Sequence, residues 1–173
     1  MKAFFWSSLL LGLCFAVPAQ AQYDNHRMGA GAGAMYFAAR DKNAVWGFVP
    51  LAPEYSLYIE NGFDVGLQVP LVILYDTENN NRQYFAMGLS ANFRYLIMEE
   101  TLRPYVGAQL GGIYIFGRAE RSFFFDIGPM VGIDFFVSDA WSLGPRLFAN
   151  LHWALNERLR YSIGMFFTFH TYF

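Results

Sequence analysis

Trp141-Ser-Leu-Gly-Pro-Arg-Leu-Phe-Ala-Asn-Leu-His-Trp153 is the stretch that decides the fold. Taken two residues at a time, it separates into Trp141, Leu143, Pro145, Leu147, Ala149, Leu151 and Trp153 on one side. Ser142, Gly144, Arg146, Phe148, Asn150 and His152 fall on the other. Successive side chains of a β-strand point to opposite faces, so this pattern predicts a strand with one uncharged apolar face and one polar face.

The same split runs outward in both directions. Phe123 to Phe135 alternates with Asp126, Gly128, Gly132 and Asp134, Phe85 to Tyr95 with Gly88, Asn92 and Arg94, and Phe63 to Leu71 with Asp64, Gly66 and Gln68. From Arg27 onward the period predicts strands over Arg27 to Ala38, Val49 to Glu60, Phe63 to Asp76 and Tyr84 to Ile97. It predicts four more over Arg103 to Gly117, Phe123 to Val137, Trp141 to Leu155 and Arg160 to Phe173. Asn61-Gly62, Met98 to Leu102 and Ser138 to Ala140 read as tight turns. Ala39 to Phe48, Thr77 to Gln83, Arg118 to Ser122 and Asn156 to Leu159 read as longer or more polar connections, with Asn79 to Asn81 a solvated loop tip.

An even strand count with short turns at one end is the layout of an all-β, eight-stranded antiparallel transmembrane barrel, an up-and-down meander. Glycine decides which face is inside. Gly29, Gly31, Gly33, Gly66, Gly88, Gly107, Gly111, Gly128, Gly132, Gly144 and Gly164 mostly share the face that carries the charges. Small residues are needed where eight strands converge on a narrow lumen, whereas on a solvated outer face they would only weaken the strands. The charged, glycine-rich face is therefore the interior and the apolar face meets lipid. Phe63, Tyr95, Phe135, Trp141 and Phe173 then fall on one rim, and Tyr36, Tyr75, Phe85, Phe123, Trp153 and Tyr161 on the other, as two interfacial girdles.

Composition agrees. The 173 residues are 55% hydrophobic and only 15% charged, with a net charge of -2, well under the roughly 25% charge of soluble domains. That balance speaks against nucleic acid as a partner, and the apolar runs after the leader are too interrupted for membrane helices. Residues 1 to 21 read as a cleaved secretory signal peptide, with Lys2, an apolar run and Ala19-Gln-Ala21 before the cut, leaving 22 to 173 as the barrel. The one cysteine, Cys14, lies in the leader, and the bulky Leu13 before it argues against lipidation.

The last strand ends Phe167-Thr-Phe169-His-Thr-Tyr-Phe173. This resembles the carboxy-terminal signal read by the outer-membrane assembly machinery, with Phe169 and Phe173 as its apolar positions and Thr171 where an aromatic residue is usual. Arg103-Pro-Tyr-Val-Gly-Ala108 resembles strand openings of the OmpA/OmpX/OmpW-like small barrels. The resemblance implies the bacterial outer membrane as location, and membrane lipid, lipopolysaccharide and the assembly machinery as partners.

Parity sends Arg27, Glu54, Asp64, Arg94, Asp126, Asp134 and Arg146 into the lumen with Gln68, Asn92, Gln109, Asn150 and His152. Opposite charges in so narrow a space are expected to pair, because an unpaired buried charge costs several kcal/mol. Such a set makes either a structural plug or a narrow passage that selects small solutes; the plug is preferred because eight strands leave little room. Lipid A-modifying catalysis is a distant third reading, since neither His152 nor His170 is followed by the serine of a His-x-Ser arrangement. No cofactor, metal site or catalytic residue is expected from the three separated histidines. Gly29-Ala-Gly-Ala-Gly33 lacks the helix and acidic residue of a dinucleotide site. Pro70 and Pro129, in mid-strand, predict local bulges or a shifted strand boundary.

Overall fold

Each alternating segment pairs with its neighbours in the chain, and the last pairs with the first. The computed structural model describes residues 26–39, 42–59, 62–76, 82–97, 101–116, 121–154 and 159–173; the leader, the loop tip at Asn79 to Asn81 and Cys14 lie outside them. The strands are β1 His26–Ala39, β2 Lys42–Ile59, β3 Phe63–Gln68, β4 Leu71–Asp76, β5 Arg82–Leu96, β6 Leu102–Phe116, β7 Arg121–Ser138, β8 Trp141–Trp153 and β9 Arg160–Tyr172. β3 and β4 lie end to end, both between β2 and β5, so the wall has eight strands. β1 closes it against β9 through an unbroken ladder from Arg27↔Tyr172 to Ala39↔Arg160. No helix among the described residues is long and apolar enough to cross a membrane; strands do the crossing.

Two turns form as the sequence predicts. Gly62, at φ 83°, lets the chain reverse between Ile59 and Phe63, a conformation that costs glycine little. Asp139 and Ala140 turn β7 into β8 between Ser138 and Trp141.

The second strand differs from expectation. It begins at Lys42, not Val49, so most of Ala39 to Phe48 is strand rather than connection. The cause is a bulge: Gly31 pairs with Ala52 but Gly33 with Val49, so Pro50 and Leu51 both stand opposite Ala32. One extra residue reverses the parity of the stretch before it, back to Val45, where a second register shift intervenes. Trp46 and Phe48 therefore face outward with Tyr55 and Leu57, although one set is even-numbered and the other odd.

Of the two outcomes expected at the prolines, a strand boundary falls at Pro70 and a bulge falls at neither. Pro70 divides β3 from β4, yet the register to β5 is the same before it, Gln68↔Ser90, as after it, Leu71↔Met87. Pro129 pairs with Ala108 of β6, and toward β8 the pairing skips Gly128 and Pro129 without changing register. Neither proline bulges its own strand; each only interrupts pairing where its missing amide would have donated.

Outside, the wall is an apolar belt. Leu89, Phe167 and Ile163 are 57–58% exposed, and with the other outward side chains they form a continuous surface far larger than a water-soluble monomer tolerates. Its rims carry paired rings: Phe63 on Tyr95 at 5.1 Å and Trp141 on Phe169 at 4.8 Å at the end holding the termini, Tyr36 on Trp46 at 5.2 Å and Phe125 on Trp153 at 6.0 Å at the other. Inside, glycines make room for large side chains. A Cβ at Gly132 would meet the Tyr105 hydroxyl and ring, and one at Gly164 the Phe148 ring. Gly132→Val is thus expected to destabilise the barrel by about 1–3 kcal/mol, read as a lowered urea midpoint in lipid vesicles. An unchanged midpoint would show that the Tyr105 ring is not held against that glycine.

Candidate functional site

The lumen holds one charge cluster, built from all eight strands of the wall. β1 supplies Arg27, β2 Glu54, β3 Asp64, β5 Arg94, β6 Tyr105, β7 Asp134, β8 Arg146 and β9 His170, every one of them at most 5% exposed. Each points inward because it shares its strand face with a lumen glycine or another buried polar residue, as Asp134 does with Gly132 and Arg146 with Gly144.

Glu54 is the hub. Its Oε1 lies 3.1 Å from Arg27 Nη2 and 2.8 Å from Arg94 Nη2, and its Oε2 lies 2.6 Å from Arg146 Nη1. Asp64 takes Arg94 Nη2 at 2.7 Å and Arg27 Nη2 at 3.2 Å, and Asp134 takes Arg27 Nη1 at 3.1 Å. Ser56 Oγ accepts from Arg27 Nε at 2.9 Å and Arg94 Nη2 at 3.1 Å, and Arg146 Nε donates to Tyr105 Oη at 3.0 Å. His170 sits between two carboxylates, Nδ1 3.5 Å from Asp134 and Nε2 3.8 Å from Glu54. Three guanidinium groups meet three carboxylates, so the cluster is neutral without any contribution from His170. Burying charges is tolerable when each has an opposite partner, and each guanidinium and carboxylate of the cluster has at least one, while Arg94 Nη1, Arg146 Nη2 and Asp134 Oδ1 make no hydrogen bond among the described residues.

Six of the seven charged residues expected in the lumen come together here. Asp126 does not. It is equally buried but stands nearer the outer end, where it accepts a long hydrogen bond from Gln109 Nε2 at 3.5 Å. The sequence reading omits three members, Ser56, Tyr105 and His170. Tyr105 shares its strand face with Gly107 and Gln109, and His170 with Thr168 and Gly164, so the signal for both lay in the same parity that placed the arginines. Of the terminal signal residues, Phe169 packs at a tilt against Trp141, and Phe173 stacks on His26 at 5.9 Å.

The histidines are well separated. His26 is at the periplasmic rim, where its Nδ1 lies 2.7 Å from Tyr55 Oη; His170 is in the cluster. His152, nearer the outer end, does meet a serine, although no His-x-Ser motif announces one: its Nε2 lies 2.7 Å from Ser162 Oγ across the β8–β9 ladder. Ser162 has no accessible surface, and among the described residues His152 Nδ1 has no hydrogen-bond partner, so no carboxylate holds the imidazole as a third member would. Among the described residues no three His, Cys, Asp or Glu side chains form a metal-holding group.

A closed eight-stranded barrel with a lipid-facing belt, aromatic rims and a charged interior defines a transmembrane β-barrel of the bacterial outer-membrane kind. Solved structures carry the same fold. The chain is similar to Neisserial surface protein A, with a TM-score of 0.65 and 14% identity over 86% of this chain and 97% of that one. It is similar to the outer membrane protein OprG of Pseudomonas aeruginosa, with a TM-score of 0.56 and 7% identity over 86% and 95%. It is also similar to the outer membrane enzyme PagL, with a TM-score of 0.52 and 14% identity over 82% and 97%. No protein-family model matches the chain, and no curated protein matches it significantly.

Proposed function

We propose that the protein is a structural barrel of the bacterial outer membrane, a sealed post whose outer rim is available for contact with lipopolysaccharide or neighbouring surface molecules. The observation that carries this reading is the neutral cluster to which all eight strands contribute. Arg94, Asn92 and Arg146, in the middle of the bore, are at most 1% exposed, so the lumen at that level is filled by interlocked side chains. A selective passage needs charges that can exchange partners with a permeant ion; here each guanidinium is committed to one or more carboxylates. The buried His152–Ser162 pair faces the lumen rather than the lipid, which favours the structural role over lipid-modifying chemistry.

The test is conductance. The chain from residue 22 to 173, folded into a planar bilayer after its heat-modifiable migration is verified, is expected to give no discrete, steady openings. Reproducible single-channel steps from the folded species would replace the sealed post with a narrow solute channel. Release of fatty acid from lipid A by the same preparation would replace it with an enzyme.

A further inference from the structure

Above the neutral cluster one carboxylate is left over. Asp126 is 3% exposed and, unlike Glu54, Asp64 and Asp134, forms no ion pair among the described residues. Its one hydrogen bond, from the Gln109 amide, is long at 3.5 Å. A buried carboxylate without a counter-charge is costly unless other groups solvate it. Three more buried polar atoms have no hydrogen-bond partner among the described residues at this level of the lumen: Gln68 Nε2, Asn150 Oδ1 and His152 Nδ1.

These four residues and Gln109 border one cavity of about 30 Å³. A buried water needs roughly 10–15 Å³ of such space, so there is room for about two. Strand pairing spreads the polar groups around it: Asp126 of β7 stands opposite His152 of β8, and Gln68 of β3 opposite Ser90 of β5. On the outer side Phe124, two residues nearer the β7 outer end than Asp126, meets Phe37 edge to face at 6.3 Å, and both are buried.

The lining decides what the cavity can hold. Gln68 and Gln109 offer amide N–H donors, Asp126 and Asn150 offer acceptors, and His152 Nδ1 is one or the other according to its tautomer. An anion would face the Asp126 carboxylate. A cation would face the Gln68 amide hydrogens with a single carboxylate to neutralise it, and an apolar guest would leave all three atoms without partners. Only a neutral molecule that both donates and accepts suits the whole set, and at this size that is water. Rotating either amide by half a turn exchanges a donor for an acceptor, and water serves both.

We propose that the cavity is a binding site for about two ordered water molecules, which partner Gln68, Asn150 and His152 and solvate the Asp126 carboxylate. Buried waters make about three hydrogen bonds each; with one bond shared between the two, each of the four residues receives a partner. The lumen is then wet between two seals, the ion cluster on the periplasmic side and the Phe37 and Phe124 rings on the outer side. Hydration of this chamber does not depend on whether the cluster conducts, so this test and the conductance test fail separately.

The test is water-to-protein NOE spectroscopy of the isotope-labelled chain, residues 22 to 173, folded in detergent. Cross-peaks from water to the Gln68 side-chain amide are expected, with the sign of water held for longer than nanoseconds. They should persist in Ser90→Ala, which removes the cavity hydroxyl opposite Gln68 that could relay the signal by proton exchange. Urea unfolding of Gln68→Leu, verified as folded by heat-modifiable migration, gives a second readout. Removing an amide that bonds water should lower the midpoint, whereas removing one without a partner should raise it. Absence of the Gln68 cross-peaks, their loss in Ser90→Ala, or a Gln68→Leu midpoint that holds or rises would each overturn the site.

Discussion

Glu54→Ala is expected to destabilise the folded barrel by about 3–5 kcal/mol, the cost of stripping a buried ion cluster of one partner. Glu54 makes ion pairs with Arg27, Arg94 and Arg146 at 2.6–3.1 Å. Without it, three guanidinium groups face two carboxylates, and Arg146 loses its only carboxylate among the described residues. Asp64 and Asp134 still hold Arg27 and Arg94, so the damage should concentrate at β8 and appear as faster amide exchange there. Urea unfolding in lipid vesicles, followed by gel migration, measures the total. Glu54→Gln, which keeps the shape and loses the charge, should also destabilise the barrel. A change under about 1 kcal/mol in both variants, the scale of a solvated surface pair, would mean that the lumen is wet and the cluster exchanges freely with water.

Leu147→Arg tests the opposite face. Leu147 is 50% exposed, midway along β8 between the inward Arg146 and Phe148. An arginine on the lipid face near the bilayer midplane costs about 2–4 kcal/mol, so this variant should fold into vesicles with a markedly lower urea midpoint. Asn150→Ser, in the lumen three residues on, should cost much less. The contrast has a simple control, because the same two substitutions in short-chain detergent, which adapts to the inserted charge, should differ less. Equal costs in vesicles would mean that inside and outside are exchanged.

Period two was enough to read the wall and its faces, since the strands from Phe63 onward keep one parity up to the register shift between Phe136 and Ser138 at the end of β7. It failed where the chain departs from that period. The one extra residue at Pro50-Leu51 shifts Val45 to Val49 onto the other parity, so Trp46 and Phe48 resemble a connection in the sequence. Parity also says which side a residue faces but not how far along the barrel it lies. Asp126 and Asp134 share a face of β7, yet eight residues of strand are roughly 26 Å, and only Asp134 reaches the level of Glu54. Which carboxylate joins the cluster depends on the stagger between strands, and that stagger is fixed by the closed ladder rather than by any one segment.

The distribution of the cluster over all eight strands bears on how the barrel enters a membrane. Arg27 and Asp134 are 107 residues apart, and Glu54 and Arg146 are 92 apart; both contacts appear only when the last part of the chain has arrived. Until β9 docks on β1, only the pairs between neighbouring strands, such as Arg27 with Glu54 and Arg94 with Asp64, can form, and Asp134 and Arg146 stand without their cross-lumen partners beside open backbone groups, neither of which hydrocarbon accepts. A partly assembled sheet is therefore confined to the aqueous border of the bilayer. The same event that seals the sheet edge cancels the remaining charge, so the lipid admits the finished cylinder and turns back its precursors, and fidelity of assembly is enforced by the solvent rather than by a separate inspection step.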